Sequence, residues 1–250
     1  MELDFEKTLE ILRSNIMTSF KSRLENVSIY VYTSHFEGLG TNRSDIDVYV
    51  FCNTIPELLK FDMTFPKSMF VGSRIGNENI DTEYWRNEIF VSTAEHYVSD
   101  DNYFDPIIAK VLLRLEKGVC LKQGFVTDFI STGDYLEVNH RKIGSYFRNE
   151  AVSDIWDATA LLNSGELIPA LDVSRKAVLS ALAYNNAEKG FPSLNMKWFS
   201  KIFLEKTDVD SSLRSDYHKL LFSCVTVGTI EKRIDENLEF TQNLLSSTLF

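Results

Sequence analysis

Residues 28–51 read SIYVYTSHFEGLGTNRSDIDVYVF, in which two β-branched and aromatic runs, SIYVYT (28–33) and IDVYVF (46–51), flank a polar loop that carries glycines. Runs of this composition form strands, and the Gly-bearing polar stretch between them is a connection. In SDIDVYV the strand period of two puts Asp45 and Asp47 on one face and turns Ile46 and Val48 to the other. Two like charges held side by side need protons or cations to neutralise them. Hard carboxylate oxygens suit Mg²⁺, which keeps several waters and takes substrate phosphates as further ligands. The plain alternative is a D-x-D that marks a solvated strand start. Against it stands the long loop, whose Gly38 and Gly40 can bring backbone N–H groups close to phosphate oxygens.

Outward from this stretch, residues 4–25 space Phe5, Leu9, Leu12, Ile16, Phe20 and Leu24 as one apolar stripe of a helix. Downstream, a short helix is expected around residues 56–61. Two more strands follow, SMFVGSRI (68–75) and NIDTEYW (79–85), separated by the turn-forming Gly76-Asn77. Alternation in IDTEYW sets Asp81 and Glu83 on one face, as two candidates for a third metal-binding carboxylate. An acidic edge strand that blocks aggregation is the competing explanation. A helical pattern returns at 106–115, and KGVCL closes a first domain near residue 122.

Beyond residue 133 strand signals fade. Four periodic segments remain, at 135–163, 166–189, 194–205 and 211–246, with Asn163-Ser164-Gly165 and Lys189-Gly190-Phe191-Pro192 as helix stops. The expected architecture is α+β: a mixed β-sheet core with flanking helices in residues 1–122, then an α-helical bundle domain in residues 123–250.

Composition narrows the function. With 26 Lys plus Arg against 36 Asp plus Glu, the formal charge is −10, which repels a long nucleic acid and favours a small cationic partner. Cys52, Cys120 and Cys224 are far apart in apolar surroundings and read as reduced core thiols. The acidic, amphipathic start and the lack of any run of about 18 apolar residues lead to a cytoplasmic expectation with no membrane association. His35, His96, His140 and His218 show no metal-ligand spacing, although His35 adjoins the loop. No signal of oligomeric state is present.

The text TSHFEGLGTNRSDIDVYVF (33–51) resembles the signature of the nucleotidyltransferase superfamily with the DNA polymerase β type of catalytic core. That signature is Gly-Ser, a loop of about ten residues, then Asp-x-Asp on a strand. Ser34 stands in the place of the family serine, Gly40-Thr41 resembles the Gly-Thr or Gly-Ser often found within the loop, and Thr33 replaces the family glycine. By this resemblance Asp45, Asp47 and Glu83, with Asp81 as the other choice, hold two Mg²⁺ ions. Ser34, Gly40, Thr41 and Ser44 contact the nucleotide. Relatives that modify small molecules place the acceptor against a helical C-terminal domain, sometimes with an acid there as general base. In EAVSDIWDA, Glu150, Asp154 and Asp157 form one helical stripe, which a solvated face explains equally well; Asp157 is the candidate base, with Asp154 next. FPSLNMKWFSKIF resembles a Lys-Trp element in relatives that contacts the triphosphate, which nominates Lys197, then Arg175 and Lys176, against the simpler reading of snorkelling surface lysines.

The function implied is transfer of a nucleoside monophosphate, AMP foremost, from a nucleoside triphosphate to a hydroxyl of a small molecule such as an aminoglycoside-type antibiotic or a biosynthetic intermediate. Two alternatives stand beside it. One makes a protein or tRNA end the acceptor, as in toxin-related relatives. The other is a catalytically silent nucleotide-binding regulator, to which Thr33 lends weight.

Overall fold

A computed structural model describes residues 5–19, 26–40, 44–53, 68–75, 78–131 and 133–247. The chain divides into two compact units, Met1–Leu136 and Glu137–Phe250, which meet fourteen residues beyond the expected boundary at 122. The short helix expected at 56–61, the turn at Gly76-Asn77 and the last residues of the first expected helix, 20–25, lie outside the described residues.

Unit one is built on a five-stranded mixed sheet. Its strands are β1 (Ser28–Tyr32), β2 (Ile46–Cys52), β3 (Ser68–Ile75), β4 (Glu78–Arg86) and β5 (Val119–Lys122), in the spatial order β3-β4-β2-β1-β5. The β2–β4 pair is parallel, and β1–β2, β1–β5 and β3–β4 are antiparallel. The first four match the alternating runs to within one residue at each end. The four-residue β5 is too short and too lysine-flanked to show a period.

One face of this sheet is apolar. Ile29 and Val31 of β1, Ile46, Val48 and Val50 of β2, and Ile80 of β4 pack with Leu12 and Ile16 of helix α1 (Phe5–Ser19). Each fully buried aliphatic there contributes roughly 1.5–3 kcal/mol relative to an exposed position. The opposite face starts apolar at one end, where Phe51 and Trp85 both contact Phe90 of helix α2 (Asn87–Ser99), and turns polar toward the other. Helix α2 has no counterpart among the expected elements. Its β-branched residues mask a real helical stripe of Asn87, Phe90, Ala94 and Tyr97.

Helix α3 (Pro106–Lys117) starts where its chemistry says it should: the Asp105 carboxylate accepts from the N–H groups of Ile107 (2.9 Å) and Ile108 (3.2 Å), and Pro106 occupies the first turn. It ends at Gly118, where a Cβ would lie 2.6 Å from the Arg114 carbonyl oxygen and 2.7 Å from that of Val31. Only glycine lets the helix close this tightly on β1. Helix α4 (Phe125–Ser131) belongs to the same unit, tied to β1 by the Val126 N–H to Ser28 Oγ bond and by Tyr30 Oη to Thr127 Oγ1.

Unit two is helical: α5 (Tyr135–Asn163), whose first two residues belong to unit one, α6 (Leu167–Glu188), α7 (Met196–Glu205), α8 (Ser211–Phe222) and α9 (Ile230–Ser247). Gly165 and Gly190 take positive φ at the two anticipated stops. The segment expected to run unbroken over 211–246 is instead two helices. The intervening SCVTVGT is rich in β-branched residues, and Thr226 and Thr229 bond reciprocally in a capping box that starts a new helix. Phe199, Phe203, Tyr217, Phe240 and Leu244 fill the core with Ala151, Ala181 and Leu182. Of the three thiols expected in the core, Cys52 is buried, Cys120 is half-buried, and Cys224 is exposed in the break after α8. No helix among the described residues is long and apolar enough to cross a membrane.

Candidate active site

Strand register builds the polar face of the first unit row by row. Because directly paired residues point to the same side of a sheet, Tyr32, Asp47, Asp81 and Gly72 form one row across β1, β2, β4 and β3. The next row is Tyr30, Tyr49, Glu83 and Phe70. Asp45 lies just before β2 and is exposed, with its Oδ1 accepting from Asn79 Nδ2 at 3.1 Å. The four acids named from the sequence therefore share a face. Their order differs from expectation, since Asp81, rather than Glu83, is the lateral neighbour of Asp47.

Two cations from α3 lie over these acids. Arg114 Nη1 donates to Asp47 Oδ1 at 2.8 Å and also to the Tyr49 hydroxyl, with its guanidinium 5.2 Å from the Tyr32 ring centre and 5.8 Å from that of Tyr49. Lys110, one turn earlier, feels the charges of Asp47, Glu83 and Asp81. Burial raises the Asp47 pKa above its ordinary value, Arg114 and Lys110 pull against that rise, and Asp81 adds to it. For Lys110 the shift is downward, from burial and then from Arg114. Burial also pushes the Tyr49 and Tyr32 phenols well up, so both stay protonated, and Tyr32 donates to the Glu37 carboxylate.

Neither Lys110 nor Arg114 was found from the sequence. Their local signal is two cations spaced i, i+4 beside the stripe of Ile108, Val111, Leu112 and Leu115, and nothing local tells that this side of the helix meets the acids.

The loop into β2 is folded on itself. The Ser34 carbonyl accepts from the N–H groups of Leu39 (3.0 Å) and Gly40 (2.9 Å), the Gly38 N–H bonds the His35 carbonyl (3.0 Å), and Ser34 Oγ donates to Ser44 Oγ at 3.0 Å. Gly38 and Gly40 thus spend their N–H groups inside the loop. A Cβ at Gly40 would stand 2.7 Å from both the backbone nitrogen and Cγ of His35. His35 itself is exposed, and Thr33, at the position of the family glycine, is buried. Thr41 lies outside the described residues.

In the second unit, Lys176 bridges Glu150 (3.1 Å) and the buried Asp154 (2.9 Å), which commits all three to holding α5 against α6. Burial raises the Asp154 pKa, and Lys176 opposes the rise. Asp157 is exposed on α5, Arg175 pairs with Asp172 at 3.6 Å, and Lys197 lies on the surface with Nζ 4.9 Å from the Trp198 ring centre.

The donors of the acidic face suit a hard divalent cation in kind. They are not closed around one: among the described residues no three His, Cys, Asp or Glu side chains converge as a metal site, and Arg114 engages Asp47 while Asn79 engages Asp45.

No protein-family model matches the sequence, and neither does any curated protein. Among solved structures, a nucleotidyltransferase-like protein from Exiguobacterium sibiricum 255-15 superposes with a TM-score of 0.53 at 13% identity, over 96% of this chain and 75% of that one. The fold is nucleotidyltransferase-like. At that identity the likeness speaks for the architecture, a mixed sheet followed by helices, and this architecture agrees with what the Asp-x-Asp stretch implied.

Proposed function

We propose that the protein is a nucleotidyltransferase that moves a nucleoside monophosphate, AMP foremost, from a nucleoside triphosphate onto a hydroxyl of a small molecule and releases pyrophosphate. The observation that carries this reading is the parallel pairing of Asp47 with Asp81, with Glu83 on the same face and Asp45 just before the strand, bonded to Asn79. Asp45, Asp47 and Asp81 would hold two Mg²⁺ ions, with Glu83 next to them. Magnesium, when bound, acidifies the acceptor hydroxyl and steadies the leaving pyrophosphate. The chain's own part is to position and neutralise. Ser34 and Ser44, which are bonded to each other in the loop into β2, would contact phosphate oxygens. Lys110 and Arg114 supply positive charge beside the same carboxylates. In the second unit the resemblance makes the exposed Asp157 the candidate base and the exposed Lys197 the candidate cation, while Asp154 is held by Lys176. The formal charge of −10 favours a cationic small acceptor such as an aminoglycoside over a long nucleic acid.

A second reading, a silent nucleotide-binding regulator, is favoured by the Arg114–Asp47 ion pair, which satisfies the carboxylate without a metal. One experiment separates them. The protein is incubated with each labelled nucleoside triphosphate, Mg²⁺ and a panel of aminoglycosides, nucleosides and cell extract, and pyrophosphate is followed. The enzyme reading expects release that Asp47→Asn abolishes while the circular dichroism spectrum is unchanged. Tight nucleotide binding without release for any acceptor decides for the regulator.

A further inference from the structure

Edge strand β3 turns Phe70, Gly72 and Arg74 to the face that carries the acids, because each is paired directly with a residue of that face: Glu83, Asp81 and Asn79. All three are exposed, Phe70 to 62%. A charged arginine on an edge strand is explained by the need to keep edges from pairing with other chains. Phe70 works against that need, since a large ring left in water on an edge invites association. Between the ring and the guanidinium stands Gly72, where a Cβ would meet only Asp81 Oδ1, at 3.9 Å, so the space above the backbone is open. Four residues of strand, about 13 Å, separate Phe70 from Arg74. The strand thus offers, in line, an aromatic ring, a gap without a side chain and a planar fork of donors.

Deepening the nucleotidyltransferase reading, and resting on it for the choice of ligand, we propose that this face of β3 is the platform that reads the nucleotide: Phe70 stacks the base, Gly72 leaves room for the sugar, Arg74 receives the phosphate chain, and Glu83 selects a base that bears an amino group. Stacking on an aromatic side chain holds any base, and a guanidinium fork matches phosphate oxygens. The direction agrees with the rest of the face. Asn79, the partner of Arg74, bonds Asp45 just before β2, so Arg74 marks the end where the loop with Ser34 and Ser44 enters, and Phe70 lies further along. Glu83 stands directly across from Phe70. An ionised carboxylate accepts hydrogen bonds and donates none, which suits the exocyclic amino group of adenine or cytosine and not the O4 of uracil. The platform calls for no metal ion on the protein's own carboxylates.

The test is calorimetric titration with ATP, UTP and inorganic triphosphate, in EDTA and again with Mg²⁺ in solution. Phe70→Ala is expected to lower ATP affinity roughly tenfold and to leave inorganic triphosphate unchanged, a difference that a merely structural role would not make, while Phe70→Trp keeps the wild-type affinity. Arg74→Gln should weaken ATP and triphosphate alike, by about tenfold. The wild type should prefer ATP to UTP by at least about fivefold, and Glu83→Gln, whose amide can donate to uracil, should erase that preference. An ATP affinity equal in wild type and Phe70→Ala overturns the platform, as does an equal loss of ATP and triphosphate in Phe70→Ala, or a wild type that binds no ATP in either buffer. If Phe70→Ala changes the sedimentation coefficient but not the ATP affinity, the ring belongs to a contact with a second copy of the chain and the platform falls. ATP binding with the expected pattern, but no pyrophosphate release with any acceptor, keeps the platform and removes only the transferase reading.

Discussion

Asp81 sits directly beside Asp47 in the parallel β2–β4 register, whereas Glu83 sits beside Tyr49, one row further along the same face. The row closest to the loop is thus the more acidic one, and Gly72, the edge-strand partner of Asp81, leaves that row open on its outer side: a Cβ there would meet only Asp81 Oδ1, at 3.9 Å. Glu83 by contrast lies between the buried Tyr49 and the exposed Phe70.

A ranking of the two acids follows. Asp81→Asn is expected to suppress pyrophosphate release as fully as Asp47→Asn does. Glu83→Gln, acting on the field around its neighbours, should lower it by roughly 10–100-fold. Steady-state rates of the three variants check this. A Glu83 variant as inactive as Asp47→Asn, beside an active Asp81→Asn, would reverse the assignment.

The charge on Asp47 should also show in folding. Its carboxyl titrates above the ordinary 3.8 in the folded protein because burial outweighs Arg114 and Lys110. Between 3.8 and the raised value the native state binds the proton better than the unfolded chain does, so stability falls as pH climbs through that window and is level beyond it. Asparagine at this position carries no such loss. The stability of Asp47→Asn minus that of wild type should therefore grow with pH from about 4 upward and then plateau, as measured by urea melts between about pH 3 and 8. A difference that shrinks as pH rises would contradict the burial argument.

Much of this arrangement was legible in the residues. Alternation in SIYVYT, IDVYVF and NIDTEYW announced both the strands and the face their acids share, because the period of two leaves no choice of side. Alternation within one strand says nothing about register with the next, so it could not tell that Asp81, not Glu83, lies opposite Asp47. The same holds for Arg114. Its place over the acids is set by Gly118, whose lack of a side chain lets α3 close on the Val31 carbonyl. Such a contact joins residues far apart in the chain and leaves no local trace. The four helical segments of the second half were legible because each is long and periodic, except where Thr226 and Thr229 cap a new start.

The second unit offers a test of which polar residues are structural. Asp154 is buried, one of its carboxylate oxygens is bonded to Lys176 at 2.9 Å, and the other has no partner among the described residues. Lys176→Met strands that carboxylate and should cost about 1–3 kcal/mol. Adding Asp154→Asn, which removes the stranded charge, should restore most of the loss. Lys197→Ala, on an exposed lysine, should stay within about 0.5 kcal/mol. Chemical denaturation of the four proteins measures all of this, and equal losses at Lys176 and Lys197 would remove the distinction.

Gly40 is the loop position where the geometry is least forgiving. Its Cα lies so close to His35 that a methyl group would be 2.7 Å from that residue's backbone nitrogen and equally close to its ring. A ring can swing away, but the backbone nitrogen cannot move without disturbing the bonds that Leu39 and Gly40 make to the Ser34 carbonyl. Gly40→Ala should therefore cost about 1–3 kcal/mol, and pairing it with His35→Ala should recover little, since the backbone obstacle remains. Because the same turn carries Ser34, which holds Ser44 at 3.0 Å, nucleotide affinity should fall along with stability. Urea melts and nucleotide titrations of the single and double variants test both halves. Full rescue by His35→Ala would show that the ring alone is the obstacle and that the loop can shift freely.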